Sequence, residues 1–207
     1  MSLGYDYCLK FVVVGDACSG KTTMVNRLCN NKILQHYEPT IGVEYNATYM
    51  KYKDYKLKIQ YWDTAGDKCY APVIKSYYKN ISGLYLVIDL CDYKSIRTID
   101  YWFREINENK DNEFKIIVIG NKCESKKRVI KKEEIMKKLK PRNIEYIEYS
   151  SFTNENLLEV NDNMVDYIFK NFDIDNHRGI VSSKKEIIRL KNLKPPKDRQ
   201  CFGCTIC

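Results

Sequence analysis

Gly15-Asp16-Ala17-Cys18-Ser19-Gly20-Lys21-Thr22 fits the phosphate-binding pattern G-x-x-x-x-G-K-[ST]. No other run constrains the architecture as much, because such a loop works only between a buried strand and the start of a helix. Both neighbours are present: the apolar run Phe11-Val12-Val13-Val14 leads in, and a helical stretch from Thr22 to Leu28 leads out. The chemistry needs each part. Glycines let the main chain bend around an anion, so that successive N–H groups point at α- and β-phosphates. Lys21 brings a compact positive charge to the β- and γ-phosphates, and the Thr22 hydroxyl is suited to ligate Mg²⁺.

The rest of the chain alternates in the same sense. Strands are predicted over 8–14, 43–51, 57–62, 83–90, 115–120 and 145–149. Helices are predicted over 21–30, 95–108, 131–139 and 154–171, with a short one over 72–79. Short apolar strands separated by helices imply an α/β fold of the phosphate-loop nucleotide-hydrolase type. Its sheet is mostly parallel and six-stranded, with helices on both faces. In such sheets ligands sit at the carboxyl ends of the strands. The folded domain is read as 1–172. Residues 173–207 are read as a basic tail that begins as a linker, with a weak basic helix over 183–193 stopped by Pro195-Pro196.

Four more motifs follow predicted strands or join them. Trp62-Asp63-Thr64-Ala65-Gly66 puts an acid and then a glycine at a strand end, suited to a Mg²⁺ site across from Thr22 and to a backbone N–H near a γ-phosphate. Tyr37-Glu38-Pro39-Thr40-Ile41-Gly42 lies between the first helix and the second strand. Asn121-Lys122-Cys123-Glu124 and Ser150-Ser151-Phe152 each directly follow a strand.

In this order and spacing the five motifs resemble the Ras superfamily of small GTPases, over roughly residues 7–172 plus the C-terminal cysteines. Ile41-Gly42-Val43-Glu44-Tyr45, Trp62, Tyr77-Tyr78-Lys79 and Tyr101-Trp102 are similar to the Rab branch in particular. Rho-like proteins usually differ after the Thr, and Ran-like proteins lack a lipidation tail. The resemblance implies GTP/GDP binding with Mg²⁺. The main chain of Asp16, Ala17, Cys18, Ser19, Gly20, Lys21 and Thr22, with Thr23 beside it, would cradle the phosphates. Thr22 and Thr40 would coordinate Mg²⁺, and Asp63 would hold it through water. Lys21, Thr40, Gly66 and the residue at 67 would act on the γ-phosphate. Asn121 and Glu124 would read guanine, Lys122 would pack over the nucleotide, and the backbone of Ser150, Ser151 and Phe152 would donate to the base. Residues 32–44 and 64–79 would be two switch segments that order around the γ-phosphate and relax after hydrolysis. Ile41, Gly42, Tyr45, Trp62 and Tyr77 would form an effector surface, the last three as an aromatic triad. Ordinary packing aromatics are the alternative in a chain with 17 Tyr.

This sequence departs from the family pattern at several of these positions. Asp67 stands where most members carry a Gln that orients the attacking water. Asp is shorter, anionic at neutral pH, and offers no amide donor, so like charges would crowd the γ-phosphate. Either hydrolysis is slow, which this chemistry favours, or a partner supplies the missing group. Glu124 replaces an Asp, keeping the charge with a longer reach, and a charged hydrogen bond contributes about 1.5–3 kcal/mol. Ile33 takes the place of a common base-stacking aromatic, and Phe152 the place of a common Lys. Cys18, beside Lys21 and several N–H donors, reads either as a thiol with a lowered pKa or as a small tolerated side chain.

Charge is uneven. From His177 onward eight Lys or Arg face two acids, a net +6 that leaves +2 for the rest of the chain. Such a tail suits an anionic membrane surface or nucleic acid, or is simply solvated. The final Cys201-Phe202-Gly203-Cys204-Thr205-Ile206-Cys207 reads as a C-a-a-X box. Cys204 would be prenylated, and Cys201 is available for a second lipid. One lipid chain binds membranes only marginally, so the basic stretch is the needed second signal. The rival readings are a C-x-x-C-x-x-C metal site, which lacks a fourth ligand, and an unmodified tail.

No apolar run approaches membrane-spanning length, no secretory signal is visible, and the odd, scattered cysteines (nine in all) suit reduced thiols. The expectation is a monomeric switch on the cytoplasmic face of a membrane, with a cytosolic pool. An exchange factor, an activating protein and effectors would be its partners, and nucleic acid would not. A non-hydrolysing module that sequesters partners is the second reading. A phosphate-loop kinase is the third, against which Trp62–Gly66 argues.

Overall fold

The computed structural model describes residues 4–32 and 38–186. Phe11 through Val14 are all fully buried in β1 (Tyr7–Val14), and their alternation explains why one apolar run is needed. Leu9, Phe11 and Val13 point to one face of the sheet, against Met24 and Val25 of α1 (Lys21–Asn30) and Val160, Met164, Val165 and Ile168 of α5 (Leu157–Asn171). Val12 and Val14 point to the other. There they meet Ile99, Trp102, Phe103 and Ile106 of α3 (Lys94–Asn109), Ile135 and Leu139 of α4 (Lys132–Leu139) and Ile74 of α2 (Ala71–Ile74). A strand buried on both faces has no solvent side to carry polar residues.

The main sheet runs β2-β3-β1-β4-β5-β6, with β2 (Val43–Tyr52), β3 (Tyr55–Thr64), β4 (Gly83–Asp89), β5 (Lys115–Asn121) and β6 (Glu145–Tyr149). Only β2 is antiparallel to its neighbour along this path. These are the six expected strands, with ends shifted by two residues at most. The β1–β3 and β1–β4 pairings put the carboxyl ends of β1, β3 and β4 side by side, with β5 and β6 following, so every motif emerges at one edge of the sheet.

Two elements differ from the sequence reading. The short helix expected over 72–79 is a broken series: a 3₁₀ turn at Lys68–Tyr70, then α2, then a second 3₁₀ turn at Lys75–Tyr78. Pro72 sits in the first turn of α2, where its missing N–H costs nothing.

Past Phe172, where a linker was expected, the chain packs back onto the sheet. Strand β7 (Ile180–Ser182) pairs antiparallel with the start of β1, opposing Ile180 to Leu9 and Ser182 to Tyr7. His177 stacks on Phe172 with ring centroids 4.5 Å apart, and the Ser82 hydroxyl donates to the Gly179 carbonyl at 2.8 Å. A Cβ on Gly179 would lie 2.2 Å from the Ile81 carbonyl carbon, which explains the glycine there. Two β-branched residues are too few to show a period, so β7 escapes a sequence reading. Residues 183–186 turn helical, and the rest of the expected basic helix lies outside the described residues. Ile180 is 6% exposed and Val181 is 42% exposed. Ile180→Ala should therefore lower stability by about 2–4 kcal/mol. Val181→Ala should stay within about 0.5 kcal/mol. Urea unfolding of both variants checks this, and equal effects would mean that β7 does not pack as described.

Candidate functional site

The phosphate loop is shaped by three positive φ angles, at Gly15 (143°), Cys18 (63°) and Gly20 (89°). Gly20 cannot change for a second reason: a Cβ there would lie 2.2 Å from the Asn121 side-chain nitrogen. Lys21 opens α1 and is 5% exposed. Its Nζ donates to the carbonyls of Gly15 (3.0 Å) and Asp16 (2.9 Å), curling back across the loop it serves. Burial holds its ammonium below the usual lysine pKa, opposed by Asp63 and Asp16. Ala17, Cys18, Gly20, Thr22 and Thr23 line a cleft of about 640 Å³ with Glu38, Thr40, Gly66, Asp67 and Lys122. Asp16 and Ser19 do not line it. The Ser19 side chain is buried, and its carbonyl accepts from Asn121 Nδ2 at 3.0 Å. The Asp16 carboxylate faces α3, away from the cleft.

Thr22, Thr40 and Asp63 converge. Thr22 Oγ1 donates to Asp63 Oδ2 at 2.5 Å and lies 2.8 Å from Thr40 Oγ1; Thr40 Oγ1 is 3.4 Å from the same carboxylate oxygen. Asp63 Oδ1 is buried with no hydrogen-bond partner among the described residues. Burial pushes the Asp63 carboxyl up to about 6, against the hydroxyl of Thr22 and the charge of Lys21. A buried carboxylate with one oxygen (Oδ1) left without a donor, and two hydroxyls gathered at the other (Oδ2), fits a hard cation. One carboxylate and two hydroxyls are too few for a cage of protein ligands, but they suit Mg²⁺, which keeps waters and takes phosphate oxygens. Among the described residues no cluster of three His, Cys, Asp or Glu is present, so a transition-metal site has no support there.

Gly66 rests against the phosphate loop so closely that a Cβ would lie 2.2 Å from the Ala17 nitrogen. Ala65 N–H donates to the Gly42 carbonyl at 2.8 Å, joining the two expected switch segments. Asp67 reaches the cleft wall, but its carboxylate caps the 3₁₀ turn beside it, accepting from Cys69 N–H at 3.0 Å. That N–H holds the Asp67 carboxyl below its ordinary range.

The two base-side motifs touch each other. Asn121 Oδ1 accepts from the N–H groups of Lys122 (2.8 Å) and Ser151 (3.4 Å) and from the Ser151 hydroxyl (3.2 Å). Lys122 Nζ donates to the Cys18 carbonyl and to Asp89, and its φ is 67°. Ser150 Oγ accepts from Phe152 N–H and Thr153 N–H, which makes the turn. Glu124 and Phe152, the latter 68% exposed, line a pocket of about 220 Å³ with Gly20, Thr23, Asn121, Lys122 and Ser151.

Two supports carry no local sequence signal. Arg27 of α1 donates to the carbonyls of Ser151 (3.1 Å) and Phe152 (3.2 Å), and Arg128 grips Glu148 of β6 with two nitrogens at 2.9 and 2.6 Å. They brace the two base-side loops.

On the outer face Tyr45 and Trp62 are register partners on β2 and β3, ring centroids 5.1 Å apart, and Tyr77 lies 5.1 Å beyond Trp62. Lys10 Nζ sits 5.5 Å over the Trp62 ring and 5.9 Å over Tyr77. Ile41 is 77% exposed beside Gly42, whose φ is 69°. Ile33, Tyr37, Cys201 and Cys204 lie outside the described residues, as do five of the eight basic residues of the tail.

Comparison with known proteins agrees with this geometry. A model of the Ras family matches residues 10–170. Over 160 residues the chain is 31% identical to Ras-related protein Rab-13 of Canis lupus familiaris, covering 77% of this chain and 79% of that one. It is 29% identical over 157 residues to Ras-related protein SEC4 of Candida albicans, covering 75% of each. Its similarity to SEC4 of Saccharomyces cerevisiae is 27% identity over 188 residues, 91% of this chain and 87% of the relative.

Proposed function

Because the chain belongs to the Ras family of small GTPases, as a Rab-like member, we propose that it is a GTP/GDP switch of vesicle trafficking, with slow hydrolysis of its own. The observation that carries this reading is the convergence of Thr22, Thr40 and the buried Asp63 beside the phosphate loop. Bound there, Mg²⁺ would neutralise charge building on the β- and γ-phosphate oxygens. The chain's own residues do the rest. Loop amides from Ala17 to Thr22, with Lys21, hold the phosphates in line. Thr40 and Gly66 close over the γ-phosphate and join the two switch segments through Gly42 and Ala65.

Hydrolysis is slow on this reading because Asp67 is anionic, capped onto its own turn, and has no donor for the water. Guanine is read by Asn121 and Glu124, with Phe152 and Lys122 against the base. Ile41, Gly42, Tyr45, Trp62 and Tyr77 form the surface that effectors meet while the triphosphate holds the switches. Exchange and activating proteins reset the cycle. The chain acts as a monomer, without nucleic acid. Cys204, with Cys201, carries the lipid that puts it on the cytoplasmic face of a membrane beside a cytosolic pool. No helix among the described residues is long and apolar enough to cross one.

A second reading, a module that binds GTP and sequesters effectors without hydrolysing it, is favoured by the engagement of Asp67 with Cys69. Both readings are tested on full-length protein purified from eukaryotic cells. The nucleotide released on denaturation should be a guanine nucleotide, and removing Mg²⁺ should speed its release. Cys204→Ser should move the chain from the membrane to the soluble fraction. Release of adenine nucleotide would sink the GTPase reading. A Cys204→Ser protein that stays on membranes would sink the lipid anchor. Retention of GTP unchanged over hours would move the second reading ahead.

A further inference from the structure

Asp16 is the second residue of the phosphate loop, yet its side chain is tied to a helix with no part in the motif. Thr98 Oγ1 donates to Asp16 Oδ2 at 2.5 Å, and Trp102 Nε1 donates to Asp16 Oδ1 at 3.0 Å. Residues 98 and 102 stand four apart on α3 and so share a face. Trp102 is 4% exposed. Both carboxylate oxygens are thus held by side chains of one helix face, Trp102 buried and Thr98 half-buried.

The main chain fixed in this way meets the part of the site that changes with the nucleotide. A Cβ on Gly66 would lie 2.4 Å from the Asp16 carbonyl carbon and 2.2 Å from Ala17 N, so Gly66 rests on the Asp16–Ala17 peptide. The Asp16 carbonyl also accepts from Lys21 Nζ. The same helix touches the segment after Gly66: Lys68 Nζ lies 4.3 Å over the Tyr101 ring, which packs edge-on to Trp102 at 5.3 Å. Between Asp67, Lys68, Ala71 and the Tyr101–Trp102 pair only about 10 Å³ is left open.

We propose that Thr98 and Trp102 are positioning residues for the triphosphate state. Through the Asp16 carboxylate they aim the Asp16–Ala17 peptide on which Gly66 closes, while Tyr101 holds Lys68 from the adjoining position. This rests on the GTPase reading above and adds a helix that the phosphate motifs do not include. Gly66 reaches the γ-phosphate only when it is present. The Asp16 tie should therefore strengthen the hold on triphosphate more than on diphosphate, since a ligand shifts a conformation only by its differential interaction.

The test uses full-length protein with Mg²⁺, as wild type, Thr98→Val and Trp102→Phe, each loaded with fluorescent GDP or a fluorescent non-hydrolysable GTP analogue. Loss of one hydrogen bond to the carboxylate should speed triphosphate release about tenfold. GDP release should rise by less than about threefold, with the urea midpoint of the GDP form nearly unchanged. Equal acceleration for both nucleotides would mean general loosening and would overturn the positioning role, as would no acceleration in either variant. Thr98→Val removes only a hydroxyl, so it decides the matter if Trp102→Phe does not fold. A wild-type chain that holds neither nucleotide would overturn the GTPase reading itself and this one with it. Normal wild-type binding with an unchanged variant ratio would overturn this one alone.

Discussion

Asp67→Gln should raise the single-turnover rate of GTP hydrolysis by about tenfold to a hundredfold, the range expected when one oriented donor is supplied to a charged transition state. Two changes act together. The substitution removes a negative charge from the wall of the cleft, one that stays ionised at neutral pH because Cys69 N–H holds the carboxyl below its ordinary range. It also adds an amide that can both donate and accept toward the attacking water. Asp67→Asn separates these contributions: it removes the charge, keeps the short reach, and preserves a side-chain oxygen for Cys69. An intermediate rate for Asn would assign part of the slowness to charge. If Gln hydrolyses no faster than wild type, another residue limits the step and the proposed cause is wrong.

The second large effect is at Asp63. Asp63→Asn should weaken Mg²⁺ binding by about tenfold to a hundredfold, the usual loss when a partner acting through a bound water is removed. The readout is the Mg²⁺ concentration needed to slow nucleotide release. The same variant should stabilise the metal- and nucleotide-free protein near pH 7.5. Burial raises the Asp63 carboxyl to about 6 in the folded chain. Between the unfolded value near 3.9 and that value the folded state binds the extra proton. This stabilisation is therefore full below about pH 4 and is lost as pH rises through about 6. Asn carries no such loss, so the gain reaches up to about 3 kcal/mol at neutral pH. A purely structural Asp63 would give the opposite result, with lower stability on substitution. Urea unfolding at pH 5 and pH 7.5, with and without Mg²⁺ and GDP, distinguishes the two.

Asp67 and Asp63 also mark how far a sequence can be read. Asp63 was legible as a candidate site residue from its place at a strand end, and Asp67 only through the resemblance to the Ras superfamily. Their chemical states were not. That Asp67 would turn onto Cys69, and that Asp63 would be left with one oxygen unpartnered, depends on burial and on neighbours up to 41 positions away.

Arg27, Thr98 and Trp102 show the same limit from the other side. Arg27 and Thr98 fit no motif, and Tyr101-Trp102 was read only as a Rab-like feature with no role at the phosphate loop. They matter only because folding brings Arg27 within 3.2 Å of carbonyls 124 and 125 positions away, and Thr98 and Trp102 within 3.0 Å of an Asp16 carboxylate 82 and 86 positions away. β7 was hidden for a different reason: Ile180-Val181 is too short to carry a period, and its pairing with β1 is chosen by the edge left open beside β4.

What the sequence determined by itself were the features set by local spacing: the phosphate loop between strand and helix, the six strands of the main sheet, and the order of the motifs along their carboxyl ends. Backbone conformation and apolar periodicity are local, so they are written in consecutive residues. What only the tertiary structure decided was the state of the site: which oxygens meet at Thr22, Thr40 and Asp63, which way Asp16 faces, and where the chain goes after Phe172. Hydrogen bonds and desolvation depend on distances between residues far apart in the chain, and those distances exist only once the sheet is assembled.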